Sequence, residues 1–268
     1  MIRLTESGIF LFSLRIGLGQ LELISVSIVS HGHGTMVERL VASLLDCPEV
    51  SQIVITRNIP EVLDLVSSDR LTVVDNPVPK GFGANHNAAF EHCHKPFFCP
   101  LNPDIELLEN PFPDLLAAMK LTGSAIVAPL VTAPDGQLED SIRHFPTIFS
   151  LARKLTSGVD GRYQIKSDQA VFYPEWVGGM FMLFRSDDFM RLRGFDEGFF
   201  LYYEDVDVCA RAWKQGMKII ACPQVSVVHD ARRDSHRSTR YLRWHLASMA
   251  RYFWKHWGRL PKVETGLL

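Results

Sequence analysis

The sequence contains few cysteines and no CxxC pair, which excludes the common cysteine-based architectures. Its five cysteines are scattered along 268 residues, at Cys47, Cys93, Cys99, Cys209 and Cys222. An odd and dispersed set of this kind fits reduced thiols in a cytoplasmic protein better than a disulfide scaffold. The segment 92–94, His-Cys-His, has the residue types of a zinc knuckle, but its partner pair is missing, so zinc is not expected there.

A long apolar run and a large net charge are also missing. The apolar stretch at 9–14 is followed by Arg15 and is too short to span a bilayer. Apolar residues make up 47% of the chain, charged residues 22%, and the formal net charge is −2. These values are ordinary for a globular protein and predict neither a membrane span nor a nucleic-acid partner. Residues 1–22 are expected to be an N-terminal extension: a peripheral anchor, an extra strand, or a segment upstream of the true start.

Short runs rich in β-branched residues alternate with segments of helical spacing. Strands are predicted at 23–30, 53–56, 71–75, 97–101 and 125–128, and helices at 36–45, 61–66, 84–92 and 115–121. A further strand is predicted at 176–184, two short ones at 218–221 and 225–228, a mobile loop at 153–169 and a helix at 237–257. The alternation predicts an α/β fold with a Rossmann-like, mostly parallel sheet flanked by helices, followed by a C-terminal helical tail.

Groups suited to ligand chemistry lie where three predicted strands end. They are the loop after Ser30, the segment Asn102-Pro103-Asp104, and His229. Because open α/β sheets bind ligands beyond the carboxyl ends of their strands, one ligand site is expected at this edge.

The stretch from Gly194 to Asp207 concentrates five carboxylates among aromatic rings and contains no Lys or Arg. Carboxylates lose free energy when they are removed from water, so such a cluster needs cations, hydrogen-bond donors or a chemical task. One interpretation is a helix start, with acids at the positive end of a helix and a surface pair between Asp207 and Arg211. The other interpretation is a catalytic site.

The order of short motifs decides between these interpretations. From residue 24 to 230 the chain resembles family 2 glycosyltransferases of the A-type glycosyltransferase fold, and especially their bacterial rhamnosyltransferase-like branch. The motifs that carry the resemblance are Val26–Ser30, Asn76, Gly81–Asn85 with Asn87, Asn102–Asp104, Asp135-Gly136, Arg143–Pro146, Val177–Gly179, Gly194–Glu197, Phe199–Tyr202, Glu204–Asp207 with Cys209 and Arg211, and His229. The resemblance implies a single glycosyltransferase domain at 23–230, with a nucleotide-sugar-binding half (23–130) and an acceptor and catalytic half (131–230).

The resemblance also assigns roles to the acids. Asn102–Asp104 stands where the family has its Asp-X-Asp metal motif, so Asp104 and the downstream His229 are the implied ligands of Mg²⁺ or Mn²⁺. Asp205 is the implied catalytic base, which takes the proton of the acceptor hydroxyl, and Glu204 is the alternative base. Asp207 is left as a structural partner of Arg211.

Donor contacts follow from the same resemblance. The implied donor-binding residues are Ser30, Asn76, Gly81, Gly83, Asn85, Asn102 and Gly179. The segment 81–85 is only a partial GxGxxG, so a dinucleotide cofactor is not expected. One departure concerns the end of the second strand, where the family usually has an Asp that holds the base or ribose and this chain has Arg57. An Arg cannot accept the hydrogen bond of an Asp, so either Asp75 or a neighbour replaces it, or base recognition and activity differ.

The tail at 231–268 is basic and aromatic, with nine Lys or Arg against one acid between 231 and 262. On a helix its apolar side chains form one stripe: Leu242, Leu246, Met249, Phe253 and Trp257. Either this stripe packs on the domain, or the tail attaches to an anionic membrane surface.

The sequence therefore predicts a metal-dependent, inverting glycosyltransferase. It would move a sugar, with L-rhamnose suggested by the resemblance, from a nucleotide-diphosphate sugar to a glycan or lipid-linked acceptor in cell-surface polysaccharide synthesis. The expected location is the cytoplasm, at the inner face of the cell membrane. Two alternatives remain: a sugar-nucleotide nucleotidyltransferase, although Ser30–Thr35 lacks the expected phosphate-loop cation, and a catalytically silent sugar-nucleotide-binding protein, suggested by Arg57.

Overall fold

A computed structural model describes residues 23–158, 161–165, 169–230 and 239–263. The predicted N-terminal extension, and the basic residues at 232, 233 and 237, lie outside these ranges. The strands are β1 (Ile24–Ser30), β2 (Val50–Arg57), β3 (Leu71–Asp75), β4 (Phe97–Leu101), β5 (Ile105–Glu106), β6 (Ile126–Thr132), β7 (Ile142–Arg143), β8 (Trp176–Val177), β9 (Leu183–Arg185) and β10 (Ile219–His229). The helices are α1 (Thr35–Leu45), α2 (Phe82–Phe90), α3 (Phe112–Thr122), α4 (Ile148–Ser157), α5 (Ser186–Arg191), α6 (Glu204–Lys214) and α7 (Thr239–His256).

The prediction of a mostly parallel sheet flanked by helices is confirmed. Eight strands hydrogen-bond in the order β3-β2-β1-β4-β9-β6-β10-β5. Within this sheet only β9 and β5 run antiparallel to their neighbours. The carboxyl ends of β1, β2, β3, β4, β6 and β10 therefore lie along one edge, as the sequence predicted for the ligand site.

The first strand shows how the sequence builds the two faces of the sheet. In Ile-Ser-Val-Ser-Ile-Val-Ser, the large residues Ile24, Val26 and Ile28 enter one core cluster, together with α1 and α3. The serines between them point to the other face, because side chains alternate along a strand. There the Ser27 hydroxyl lies 2.8 Å from Nδ1 of the buried His86, so small residues leave room for α2.

The helix predicted at 61–66 is wrong. The segment after Pro60 is extended, and Val62 is 92% exposed. Its polar groups form hydrogen bonds with other segments of the chain and not within a helix. The Asp64 N–H donates to Glu38 at 2.7 Å, and the Glu61 carboxylate accepts the backbone N–H groups of Gly32 and Gly34.

Three further predictions need correction in the second half of the chain. The single strand predicted at 176–184 is two strands, β8 and β9, separated by the glycine pair at 178–179, where the chain turns. The strands predicted at 218–221 and 225–228 form one strand, β10, whose register along β6 shifts between Cys222 and Ser226. The first part of the predicted loop at 153–169 belongs to α4, and the rest is irregular where it is described.

The C-terminal helix α7 packs with a face that overlaps the predicted apolar stripe only in part, at Phe253, which contacts the core. Its fully buried residues are Ser248, Tyr252 and His256, whereas Leu242 is 58% and Trp257 66% exposed. Arg251 and Lys255 on the same side of the helix pair with buried carboxylates of the domain. Charge pairing therefore sets the rotation of α7. Among the described residues, no helix is both long and apolar enough to cross a membrane.

The docking face of α7 can be tested by stability measurements. Tyr252→Ala should lower the free energy of unfolding by about 3–5 kcal/mol, the usual loss for a large buried aromatic side chain. Trp254→Ala on the same helix should change it by less than about 0.5 kcal/mol, because this ring is 82% exposed. Urea unfolding measures both values, and a larger loss for Trp254 than for Tyr252 would contradict the observed packing.

Candidate active site

The predicted metal residues lie together at the carboxyl edge of the sheet. Strand β5 pairs antiparallel with the end of β10, with His229 opposite Ile105, and this pairing places Asp104 beside His229. Their side chains are 12% and 11% exposed, and His229 Nε2 lies 3.2 Å from Asp104 Oδ1. Asp104 Oδ1 has no hydrogen bond of good geometry among the described residues, and His229 Nδ1, the other ring nitrogen, is likewise buried without one.

Unpartnered buried polar atoms are costly, so this pair fits a ligand better than a closed structural contact. Burial alone would lower the pKa of His229, but the Asp104 carboxylate, with Glu139 and Asp230, outweighs burial and raises it. Among the described residues no group of three or more His, Cys, Asp or Glu forms a complete metal site. A two-residue set still suits Mg²⁺ or Mn²⁺ in a site where phosphate oxygens and water complete the shell.

The predicted base lies in the first turn of α6. Two non-glycine residues with left-handed backbone, Tyr202 (φ 70°) and Tyr203 (φ 68°), precede this helix. Residues other than glycine rarely adopt this backbone conformation, and backbone strain of this kind is concentrated at functional sites. The turn aims Asp205 at the glycine pair, where the Gly179 N–H donates to Asp205 Oδ2 at 2.9 Å and the Val206 N–H donates to Oδ1 at 2.8 Å.

Asp205 and Glu204 differ in how well their surroundings stabilise a negative charge. Burial raises the pKa of Asp205, while the two backbone N–H groups oppose the rise. Burial also raises the pKa of Glu204, well above its usual value, and the adjacent Asp205 raises it further. Glu204 Oε2 is buried without a hydrogen-bond partner. The pair titrates as a unit, and its first proton belongs on Glu204, so that Asp205 carries the negative charge.

A short segment joins the metal pair to the base. The Asn102 N–H donates to Met180 O at 2.9 Å, and Gly179 holds Asp205. A Cβ atom on Gly179 would lie 3.3 Å from the Phe82 ring and 3.5 Å from Asp205 Cβ. The structure thus places Gly179, predicted as a donor contact, against the base, and Asn102 beside the metal pair.

The two glycines of the predicted donor loop allow close packing against the acidic stretch. A Cβ atom on Gly81 would lie 2.4 Å from the carbonyl oxygen of Phe200, and one on Gly83 would lie 2.7 Å from Phe195 Cβ. The Phe82 N–H donates to the same Phe200 oxygen at 2.9 Å. The start of α2 is therefore fixed on the loop that precedes α6, which joins the two predicted halves of the site.

Three asparagine side chains hold the loop between β3 and α2. Asn76 Nδ2 donates to Asn58 Oδ1 at 2.9 Å and to Asn85 Oδ1 at 2.6 Å, and Asn58 also accepts the Lys80 N–H at 2.8 Å. Asn76 and Asn85 thus support the loop through these bonds, and their direct contact with a donor stays a prediction. The buried Ser30 likewise supports its neighbours, with Oγ accepting the His33 N–H.

Arg57 stands where the family usually has an Asp, but the neighbouring strand supplies a carboxylate at the same edge of the sheet. Arg57 and Asp75 face each other in register on β2 and β3, and they form a two-pronged pair at 2.6 and 2.7 Å. The pairing lowers the pKa of Asp75, and Asp75 keeps 62% of its side chain exposed. A carboxylate is therefore present at this edge on the neighbouring strand, as one of the sequence alternatives proposed.

Sequence reasoning missed several parts of this site. Nothing in the sequence indicates the left-handed backbone at 202–203, because Tyr is not a residue that favours it. Asn58 could have been found, since it follows a strand end as Asn76 does, whereas Glu61 was hidden by the incorrect helix. The pairing of Asp207 with Arg211, at 2.7 Å, is confirmed.

The fold and the site define a glycosyltransferase of the A-type fold that uses a nucleotide sugar. A family model described as "Glycosyl transferase family 2" matches residues 25–186, and one described as "N-terminal domain of galactosyltransferase" matches 164–236. The chain therefore belongs to glycosyltransferase family 2, and it is an enzyme of glycan biosynthesis.

Similar proteins agree with this assignment. The chain is 30% identical over 249 residues to the rhamnosyltransferase WbbL of Escherichia coli K12, covering 86% of this chain and 92% of that protein. It is 30% identical over 140 residues to the N-acetylglucosaminyl-diphospho-decaprenol L-rhamnosyltransferase of Mycobacterium tuberculosis H37Rv, covering 48% of this chain and 45% of that protein. The crystal structure of GalNAc-T7 with UDP, GalNAc and Mn²⁺ shares the fold at a TM-score of 0.64 and 17% identity, covering 80% of this chain and 44% of that chain.

Proposed function

We propose that this enzyme transfers L-rhamnose, with inversion, from a nucleotide-diphosphate sugar to a hydroxyl of a lipid-linked or growing glycan. The observation that carries the proposal is the link between the two halves of the site. The segment 179–180 contacts both the loop of Asp104 and the carboxylate of Asp205. The names of the two rhamnosyltransferases support the sugar, and that of the mycobacterial protein supports a lipid-linked acceptor.

Asp104 and His229 would hold Mg²⁺ or Mn²⁺, with Asn102 beside them. A divalent cation supplies Lewis-acid neutralisation of the leaving diphosphate. The fit rests on the unpartnered atoms of both side chains, and the GalNAc-T7 structure, which holds UDP and Mn²⁺, supports it. Donor contacts are assigned to Ser30, Asn76, Gly81, Gly83, Asn85, Asn102 and Gly179, several of them through the loops that these residues hold in place.

Asp205 would accept the proton of the attacking hydroxyl. The backbone N–H groups of Gly179 and Val206 fix both of its oxygens, so each oxygen has a remaining lone-pair direction for the acceptor. Glu204 is the weaker candidate, because its buried carboxyl favours the protonated form. Inversion follows from a single attack on the face opposite the leaving group.

A cavity of about 340 Å³ lies in the second half of the domain, and one of its lining residues, Ser141, is hydrogen-bonded to the glycine pair that holds Asp205. Leu138, Tyr163 and Ile165 supply apolar walls, and Ser141 lines it as well. The Ser141 carbonyl accepts the Gly178 N–H at 2.7 Å, next to the residue that binds Asp205. Rings and apolar side chains beside a few polar groups suit the faces of a sugar, and we assign this cavity to the acceptor.

The membrane face consists of Leu242, Leu246 and Trp254 on α7, and of Trp257 directly after it. These side chains are between 48% and 82% exposed, and the exposed Arg243 and Arg259 lie in the same region of the chain. Exposed tryptophans next to cations suit the interface of an anionic bilayer, where a lipid-linked acceptor resides. Peripheral attachment to the inner face of the cell membrane follows from this proposal.

The base assignment predicts a sharp difference between two isosteric variants. Asp205→Asn should lower the transfer rate by about 10²–10⁴-fold, the usual contribution of a general base. Glu204→Gln should retain most of the activity. The rate of the native enzyme should rise with pH along a limb above the ordinary pKa of an aspartate, because burial raises the pKa of Asp205. The assay uses purified protein, Mn²⁺ and a panel of UDP-, dTDP- and GDP-sugars.

A stability measurement separates the two carboxyls independently of activity. The pKa of Glu204 is raised in the folded state, so its contribution to stability is complete below the ordinary value of 4.5 and is lost as pH rises through the folded-state pKa. Glu204→Gln should therefore reduce the fall of unfolding free energy above that pH.

If Asp205→Asn retains native transfer rates, the base assignment is wrong; no turnover of any donor by the native protein would refute the proposed function.

The metal assignment predicts a loss of metal-dependent nucleotide binding. Asp104→Ala and His229→Ala should each weaken Mn²⁺-dependent binding of UDP, dTDP or GDP by about 100-fold, since even partners of metal ligands contribute 10–100-fold. Calorimetric titration with and without Mn²⁺ measures this loss. Asp69→Ala, at an exposed acid away from the site, is the matched control. Metal-dependent binding that survives both substitutions would exclude Asp104 and His229 as ligands.

The membrane face predicts binding to vesicles that contain phosphatidylglycerol. The double variant Trp254→Ala/Trp257→Ala should sediment less with these vesicles than the native protein, and high salt should weaken binding because surface charges are screened. Val62→Ala removes an apolar side chain that is 92% exposed elsewhere, and should change nothing. Equal sedimentation of the native protein and the double variant would contradict the proposal.

A further inference from the structure

Helix α7 reaches the catalytic helix through one buried carboxylate. Asp207 is fully buried and lies in the same turn of α6 as Asp205. Its Oδ1 lies 2.7 Å from Lys255 Nζ and 2.8 Å from His256 Nε2, both on α7, and its Oδ2 accepts Arg211 Nε at 2.7 Å. Burial opposes ionisation, but the bond from His256 and the charges of Arg211 and Lys255 hold the pKa of Asp207 far below its usual value.

His256 is itself held in a defined orientation. Its Nδ1 lies 2.7 Å from the Lys214 ammonium, which can only donate. The ring nitrogen that faces Lys214 must therefore accept, and the ring proton sits on Nε2, from which it is donated to Asp207. Helix α6, which contains both Lys214 and Asp207, is thus bonded to α7 at both ends of one imidazole ring.

A second carboxylate, in the loop before α6, is held by the same helix. Asp196 Oδ2 lies 2.6 Å from Lys255 Nζ, and both Asp196 oxygens lie within 3.0 Å of Arg251 Nη2. The Arg251 guanidinium lies directly on the backbone of Gly198, where a Cβ atom would approach its Cζ to 2.2 Å. Lys255 therefore bridges Asp196 and Asp207, the two carboxylates that lie on either side of Asp205 in the chain.

We propose that α7 is part of the catalytic machinery, and that Lys255 and Arg251 are positioning residues that hold the segment 196–207 so that Asp205 faces the acceptor. The inference rests on the proposed function, in which Asp205 is the base. It assigns α7 a role in the reaction besides membrane attachment, since its buried side sets the catalytic turn while its membrane face points elsewhere.

Electrostatics explains why this segment needs external cations. Five carboxylates, those of Asp196, Glu197, Glu204, Asp205 and Asp207, lie within 12 positions of the chain, and the segment has no basic residue of its own. A buried carboxylate that loses its partner is strongly destabilising. Without Lys255, the described partners of Asp207 are Arg211 and His256, and those of Asp196 are Arg251 and the Gly198 N–H. The first turn of α6 and the left-handed residues before it would then relax, and Asp205 would move relative to Gly179.

The test compares kinetic constants of variants on the two sides of this contact. Lys255→Met keeps the length of the side chain and removes its charge, and should lower kcat by about 10–100-fold, the usual effect of a misplacement near 1 Å. KM for the donor should change less than kcat, because the loop at 81–85 meets this segment through the Phe200 backbone and carries none of the altered charges. Gly198→Ala, which displaces Arg251 without altering any charge, should act in the same direction, and Lys255→Arg should restore kcat.

Two controls separate positioning from general loss of stability. Lys120→Met removes an exposed lysine at the end of α3 and should leave both constants unchanged. The double variant Asp207→Asn/Lys255→Met removes both partners of the buried pair, so it should fold better than Lys255→Met and serves if the single variant fails to fold. Native kcat in folded Lys255→Met and Gly198→Ala would overturn the proposal.

Hydrogen exchange provides a readout that does not depend on turnover. In Lys255→Met, the backbone amides of residues 204–208 should exchange faster than in the native protein, while those of α1 stay unchanged. If the native protein turns over no donor, the proposed function fails, and the exchange result still decides whether α7 orders this turn. Unchanged exchange at 204–208 would refute the positioning role.

Discussion

The structure around the candidate active site depends on the hydrogen bonds and ion pairs of one buried carboxylate, that of Asp207. It has no contact with solvent, its charge is balanced by Arg211 on its own helix and by Lys255 on α7, and it accepts a hydrogen bond from the His256 ring on α7. Such a group fixes the relative position of every element that supplies a partner, because leaving it unpaired is costly. The acidic segment before α6, the catalytic turn and the C-terminal helix therefore form one unit.

Three residues earlier on α6, burial has the opposite outcome and favours the neutral form of a carboxyl. Glu204 is buried without a cation, and its pKa rises, whereas Asp205 beside it receives two backbone N–H bonds. Neighbouring carboxyls in contrasting environments divide acid and base roles between them. The glycine at 179 helps, because a Cβ atom there would crowd the Phe82 ring at 3.3 Å while the backbone N–H donates to Asp205.

The sequence predicted the sheet, the helices α1, α2, α3 and α7, and the edge that carries the site, since these follow from apolar periodicity and from the convergence of parallel strands. The predictions were wrong where the local structure is determined by a residue that is distant in the sequence. The segment at 61–66 has helical spacing, but its polar groups bond to Glu38, Gly32 and Gly34 instead. The rotation of α7 was equally hidden, because hydrophobic spacing favours Leu242 and Trp257, while the half-buried Asp196 and the buried Asp207 pair with Arg251 and Lys255 on another side of the helix. No local pattern encodes a partner that is 50 residues away.

The central claim is that one carboxylate, Asp205, activates an acceptor hydroxyl for a single displacement at the anomeric carbon. Proton NMR of the product formed from a donor of known anomeric configuration, recorded before mutarotation or further reaction, tests this claim directly. We expect the initial product to have a glycosidic bond of inverted configuration relative to the donor. A product that retains the configuration of the donor would require a second displacement or front-face attack, and would contradict the account.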